Sequence, residues 1–493
     1  MPEDNSYEND ETWKKMLESI FGAEKAEQMF SQMENNGIDP NKIIDSSILP
    51  TNSSQINFLA QHIKNILSDK SGPINWKLTK EIALKNGDIH LDTLNAKDAN
   101  VAKNCLQTAN LWLDSVTALP PAHADYKTWT RQDWIENTLK KWKLLFEPIA
   151  TNYSKTLTDQ LIDKLPPNME SAMPGYMIFK TEDGEETPSD KDNGMMFSSS
   201  PKDVMKSMMS LLFAYKIGNA CVNISKKIFS SNDIGMQLTE TPTTALLINN
   251  IKTFANDLDA DFELVTQYLS VIECAYSRLF NSVPWLTSSI ENAIESYASH
   301  IQIDLDSMLS IVEDTASISM PLPFDGNEIS QFMHLETSEE QVQAQDKLEF
   351  LLAIAQGWVD EVCHNVLIAY LPQALPLCEM IQRHRVTQGP TEYAFKQLVN
   401  FEISPKATRE ARKLWNFILK NTDMQQRDNY WSHPDIAPHM DDLDNIEDFF
   451  KKRKIQKEKD EALDCDIQKL FDGTLGYADG LSPNTDSEGD QKA

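Results

Sequence analysis

From Val265 to Leu279, apolar residues return at the spacing of one helical face. Val265, Leu269, Ile272, Tyr276 and Leu279 stand at i, i+4, i+7, i+11 and i+14, and at 3.6 residues per turn they merge into a continuous stripe. The pattern predicts a helix over 262–281 that turns at Val283-Pro284-Trp285-Leu286 into a second helix. Helical spacing recurs in Leu106, Ala109, Leu113 and Val116, and again in Trp134, Ile135, Leu139, Trp142, Leu145 and Phe146, with Leu119-Pro120-Pro121 separating the two runs. A methionine-rich apolar segment over 203–230, a long segment over Lys347–Ala369, a stretch over 390–422 and a charged helix from Phe449 to Leu470 complete the set. The methionines read as adaptable core filler.

Polar stretches divide these elements. Residues 1–54 form an acidic arm with one short amphipathic segment, Trp13 to Phe30, and disorder is expected over 34–54. A helical part follows over 55–165. A Pro-, Gly-, Ser- and acid-rich insertion or linker covers 166–202, and the main body spans 203–450 with an irregular acidic stretch at 315–345. Residues 451–493 carry the charged helix and then a polar tail from Gly480, expected to be disordered. Glycine is sparse, with 16 residues in 493, while good helix formers abound, so the expected fold is mostly α with a small β element.

Composition narrows the functions. The chain has 45 basic against 75 acidic residues, a formal net charge of -30. A surface so acidic repels phosphate backbones and anionic lipid, so nucleic-acid binding is not expected. The N-terminus lacks the basic and apolar regions of a signal peptide. The longest apolar run, Met208 to Tyr215, is too short to span a bilayer, so no membrane insertion is expected. Six cysteines (105, 221, 274, 363, 378 and 465) are scattered and never form Cys-x-x-Cys; they read as reduced, buried thiols of a cytoplasmic protein.

Phosphate-cradling glycine loops and the Gly-x-Ser-x-Gly elbow are absent from the sequence. The sharpest candidate is Glu273. Ile272-Glu273-Cys274-Ala275-Tyr276 stands where a zinc-peptidase helix carries His-Glu-x-x-His, with only the glutamate present. Glu273 is either a surviving general base or a structural carboxylate, on the helix surface or, if buried, neutralised or paired, for example by Arg278 or a nearby lysine. Asp360 and His364, four apart on a helix, are either metal-directed or a solvated i,i+4 contact. Glu291 and Glu295 share one helical face. His433 and His439 flank two prolines, either as a loop metal site or as a turn with capping roles.

Several segments, taken together, resemble a family of bacterial zincin-like proteins labelled zinc-dependent metalloproteases or hydrolases. They are Gly72-Pro73-Ile74-Asn75-Trp76, Leu111-Trp112-Leu113-Asp114, Thr117-Ala118-Leu119-Pro120, Asn232-Asp233-Ile234-Gly235 and Glu273 through Phe280 with Val283 to Leu286. Further along stand Gly357-Trp358-Val359-Asp360, Gly389-Pro390-Thr391-Glu392 and Trp431-Ser432-His433-Pro434-Asp435. They keep the family's order over roughly residues 60–450. The resemblance implies a zincin-like helical scaffold. It also implies a metal site built by histidines at the positions of Ile272 and Tyr276 and an acidic residue at the position of Gln356. At all three positions this sequence departs from the pattern.

Three functions follow as expectations. The first is a zincin-like protein with a degenerate site and no bound metal, which works by binding a protein or peptide in the former substrate cleft. The second is an active metal-dependent hydrolase with a rearranged site, in which Glu273, Glu295, Asp360 and His364 are the donors and zinc, manganese or magnesium is the cofactor. The third is a helical structural or assembly protein that acts through its acidic ends. The sequence fixes no oligomeric state.

Overall fold

Helices dominate, and many of their ends fall on caps and prolines. The computed structural model describes residues 72–85, 92–122, 125–164, 201–303, 335–336, 338–399 and 405–471. In chain order the first elements are α1 (Trp76–Lys85), α2 (Ala96–Leu113), β1 (Tyr126–Trp129), α3 (Arg131–Lys164) and α4 (Pro201–Ser225). Then come β2 (Thr244–Leu247), α5 (Ile248–Asp257), α6 (Phe262–Ser282), α7 (Pro284–Ser299), β3 (Gln302–Ile303) and β4 (Leu335–Glu336). The rest is α8 (Glu339–Tyr370), α9 (Leu375–Gln388), α10 (Pro390–Val399), α11 (Pro405–Asn421), α12 (Met424–Asn429), α13 (Met440–Asp444) and α14 (Phe449–Phe471), with short 3-10 turns before α9 and α14.

The Asp261 side chain caps α6 by accepting from the Leu264 N–H at 2.8 Å. Pro284 occupies the first turn of α7, where a missing N–H costs nothing. Ser338 and Gln341 form a capping box that opens α8. This box starts the helix at Glu339, inside the stretch expected to be irregular to 345. The expected stretch over 390–422 divides into α10 and α11, each opened by a proline. Similarly, α2 ends at Leu113, so Val116 lies in the following turn rather than on the helix. The linker expected over 166–202 lies outside the described residues except for Pro201 and Lys202, which begin α4. The arm over 1–54, the amphipathic segment Trp13 to Phe30 and the tail from Gly480 also lie outside them.

The β content of the described residues is two small sheets. β1 and β2 pair in parallel, Tyr126 opposite Thr244 through Trp129 opposite Leu247, and β3 pairs with β4 antiparallel. The mostly α fold with a small β element is thus what the chain adopts. α6 lies at the centre, packed on α2 and α8 and against β2 and α5, while α8 packs in turn on α7 and α11. A single hydrophobic core runs from Ile74 to Phe449, so the N-terminal helices and the main body share their interior. Among the described residues no helix is long and apolar enough to cross a membrane.

Two local features position the site. Ser230 to Thr239, between α4 and β2, is buried along its whole length without forming a helix or a strand. Its polar groups need partners from outside, because an unpaired buried N–H costs as much as a lost hydrogen bond. The second feature is the crossing of α8 and α11. A Cβ on Gly357 would stand 2.7 Å from both the Ala411 Cβ and the Arg412 nitrogen, so glycine is what allows the two backbones to touch. Gly357→Ala is expected to force α11 outward and lower stability by about 1–3 kcal/mol despite alanine's better helix propensity. The urea midpoint checks this, and an unchanged midpoint would refute the close contact.

Candidate functional site

Glu273 stands at the middle of α6 and is completely buried. One carboxylate oxygen accepts from the Ser231 hydroxyl, from Asn232 Nδ2 at 3.0 Å and from the Ala245 N–H at 3.0 Å. The other accepts from the Asn232 N–H at 3.2 Å. The residue thus pins the irregular 230–239 segment and the start of β2 to α6. Burial pushes its carboxyl up to about 7, against the downward pull of the hydrogen bonds from Ser231, Ala245 and Asn232. Arg278, the partner expected from the sequence, points elsewhere. It donates to Asn110, to the Leu119 carbonyl and to Asp114 at 2.7 Å. Five residues along a helix is well past the i+3 and i+4 neighbours, so Arg278 serves the α2 side instead.

The three positions where the family pattern places metal ligands converge only in part. Ile272 is a core residue, 2% exposed. Tyr276 is fully buried, stacked on Phe280 at 5.8 Å, and its hydroxyl donates to Gln356 Oε1. Gln356 Nε2 donates to Asp360 Oδ1 at 2.8 Å. Arg385 on α9 lies 3.7 Å from the same Asp360 oxygen and donates to Asp233 at 3.0 Å. Asp233 in turn accepts from the Phe229 N–H at 2.8 Å. The result is a polar chain, Tyr276–Gln356–Asp360–Arg385–Asp233, joined by hydrogen bonds except between Asp360 and Arg385, which form an ion pair. Asp233 sits in the same buried segment that Glu273 holds.

The charges follow from this arrangement. Burial pushes the Tyr276 phenol well above its ordinary value, so it stays neutral and donates. Burial also raises Asp360, partly offset by Arg385 and Gln356. Burial opposes the charge of Arg385, but Asp233 and Asp360 outweigh it and hold the guanidinium firmly protonated.

The remaining candidates are dispersed. Glu295 is exposed on α7, and its neighbour Glu291 pairs with Lys141 of α3. His364 is half-buried beside Glu361 and Arg412, with its pKa lowered by burial and by Arg412. Asp360 turns to Gln356 and Arg385 rather than to His364. His433 accepts from the Asp435 N–H at 3.2 Å, and the His439 N–H donates to Asp442 at 2.8 Å to open α13, so this loop is a turn with a cap. Five of the six free cysteines are buried; Cys465 is exposed because it stands on solvent-facing α14. Among the described residues no three His, Cys, Asp or Glu side chains come together as a metal-binding group.

Beside this polar chain opens a cavity of about 580 Å³ between α8, α9, α11 and the start of α10, with Gln356, Asp360 and Arg385 in its wall. Gly235, in a left-handed conformation at φ 79°, forms part of the same wall and brings the 230–239 segment close to the Tyr276 hydroxyl. Glu273 does not line this cavity.

The helical scaffold is built around α6, with Glu273 enclosed at its centre. The family model of zincin-like metallopeptidases matches residues 74–450, and the chain belongs to that family. It shares its fold with the crystal structure of a "putative hydrolase with a novel fold" from Chloroflexus aurantiacus. That similarity has 13% identity and a TM-score of 0.50, and it covers 77% of this chain and 99% of the other. The sequence matches no curated protein.

Zinc is the metal this family implies, and the residues at its positions do not fit it. Ile272 has no lone pair, Tyr276 spends its proton on Gln356, and the Gln356 amide has both ends engaged. Asp360 is ion-paired to Arg385. Asp233 and Arg385 had no signal of their own in the sequence, although Asn232-Asp233-Ile234-Gly235 stood out as a family segment.

Proposed function

We propose that this chain is a zincin-like protein that works by binding rather than by hydrolysis, with a protein or peptide partner engaging the cavity beside the former metal position. One observation carries this reading. Two of the three ligand positions, Tyr276 and Gln356, have joined a polar chain that runs through Asp360 and Arg385 to Asp233, with the guanidinium of Arg385 supplying a fixed positive charge between two carboxylates. The family's general-base glutamate is meanwhile enclosed by Ser231, Asn232 and Ala245, where it has no open path to a substrate. A cavity of about 580 Å³ remains next to this locked centre, within the roughly 300–1,000 Å³ of ordinary ligand sites. Six free cysteines, five of them buried, support a reducing, cytoplasmic setting.

The test is metal content and calorimetry on the full chain. Purified protein dialysed without chelator is expected to hold no stoichiometric metal by mass spectrometry. It is also expected to bind neither zinc, manganese nor cobalt, and to leave fluorescent casein uncut when each metal is added. One tightly held metal per chain, or casein cleavage that Glu273→Gln abolishes, would overturn the reading.

A further inference from the structure

The sequence contains eight arginines and 37 lysines. Four of the eight arginines, Arg383, Arg385, Arg409 and Arg412, line the cavity beside the Tyr276–Asp233 chain, and no lysine lines it. In a chain of net charge -30, half of the arginines thus gather in one cavity wall. Guanidinium differs from ammonium in presenting a planar fork of donors that matches a carboxylate with two parallel hydrogen bonds.

The four arginines are not equivalent. Arg385 is taken up by Asp233 and Asp360, Arg383 pairs with Glu379 at 2.5 Å, and Arg412 lies 3.7 Å from Glu361. Arg409, one turn before Arg412 on α11, is exposed and has no hydrogen bond or ion pair among the described residues. The apolar part of the wall comes from Leu352, Ala353 and Pro390. A ligand that satisfies both the free guanidinium and this apolar part carries one carboxylate on an apolar body.

We infer that the cavity recognises the carboxyl terminus of a peptide whose last residues are apolar. The terminal carboxylate lies across Arg409 and the free edge of Arg412, and the side chains rest on Leu352 and Pro390. Glu392, the cavity's other unpaired charge among the described residues, accepts from a backbone N–H of the same peptide. This inference rests on the binding reading above and names the chemical end of the partner that the cavity holds.

The experiment is equilibrium dialysis of the full chain against two pools of N-acetylated random tetrapeptides, one ending in a free carboxylate and the other in a carboxamide. Retained peptides are quantified by mass spectrometry. The acid pool is expected to be retained at least about tenfold more strongly, as for a charge-assisted hydrogen-bonded pair, with Leu, Phe and Val enriched at the last position. Arg409→Gln is expected to remove that preference and Arg409→Lys to restore only part of it. Both sit at an exposed position and are expected to leave the circular dichroism spectrum and urea midpoint unchanged. Equal retention of the two pools, abolished by Thr408→Trp at the cavity wall, would overturn the carboxylate and leave the binding reading standing. Competition by hexanoate as strong as by any peptide would overturn the peptide. Retention of neither pool would overturn the inference, and the binding reading would then rest on the metal and casein measurements above.

Discussion

Glu273→Ala lowers the stability of the fold by about 4 kcal/mol, the combined cost of a cavity in a closed interior and of buried donors left without an acceptor. The Ser231 hydroxyl, the Asn232 and Ala245 N–H groups and the Asn232 amide all point at this carboxylate, and water does not reach them. The isosteric Glu273→Gln keeps the volume and isolates the charge. Burial raises the carboxyl from 4.5 to about 7 in the folded protein, so between those values the native state binds the proton that the unfolded chain has released. The stability this contributes is present in full below about 4.5 and is lost as pH rises through about 7, a change of about 3 kcal/mol. Urea midpoints at pH 5 and pH 8 measure it. The wild type is expected to lose more stability over that interval than Glu273→Gln does. Parallel pH profiles for the two proteins would refute the assignment of a raised carboxyl to Glu273.

Arg385→Met carries the second large effect. Its side chain is 15% exposed and stands between Asp233 and Asp360, whose side chains are 2% and 14% exposed. Removing one member of a buried ion pair costs about 3–5 kcal/mol; partial solvent access to Arg385 and Asp360 reduces the expectation to about 2–4 kcal/mol. Two carboxylates would then face each other with no cation, and Asp360, already raised by burial, would rise further. The loss is therefore larger at pH 8 than at pH 5. Adding Asp360→Asn removes one of the two carboxylates and is expected to recover part of the loss. Thermal unfolding of the single and double variants at both pH values checks this, and a double variant weaker than the single one would refute the electrostatic account.

The stripe from Val265 to Leu279 was legible because it is periodic within one element, and α6 spans Phe262–Ser282 against the expected 262–281. Other boundaries were written in local chemistry that periodicity passes over. The capping box at Ser338 and Gln341 and the proline at 405 set helix starts that apolar spacing alone does not show. What stayed hidden is long-range. β1 and β2 pair across more than a hundred residues, and Arg385 meets Asp233 across 152 positions. The departures at Ile272, Tyr276 and Gln356 were visible, but not that Tyr276 and Gln356 would bond to each other. Glu273 stood out as a charged residue on an apolar helix. Its partners come from a buried segment with no periodicity, so the choice of Arg278 followed proximity along the chain where the fold follows proximity in space.

The contact at Gly357 reaches beyond packing. Because α11 rests directly on the backbone of α8, Arg409 and Arg412 stand on a rigid rod whose distance from Gln356 and Asp360 is set before any ligand arrives. A partner meeting such a wall has little protein motion to drive and little disorder to remove. Discrimination would then fall on the partner's own length and shape, and differences in affinity among partners would show in how long each stays rather than how fast it arrives.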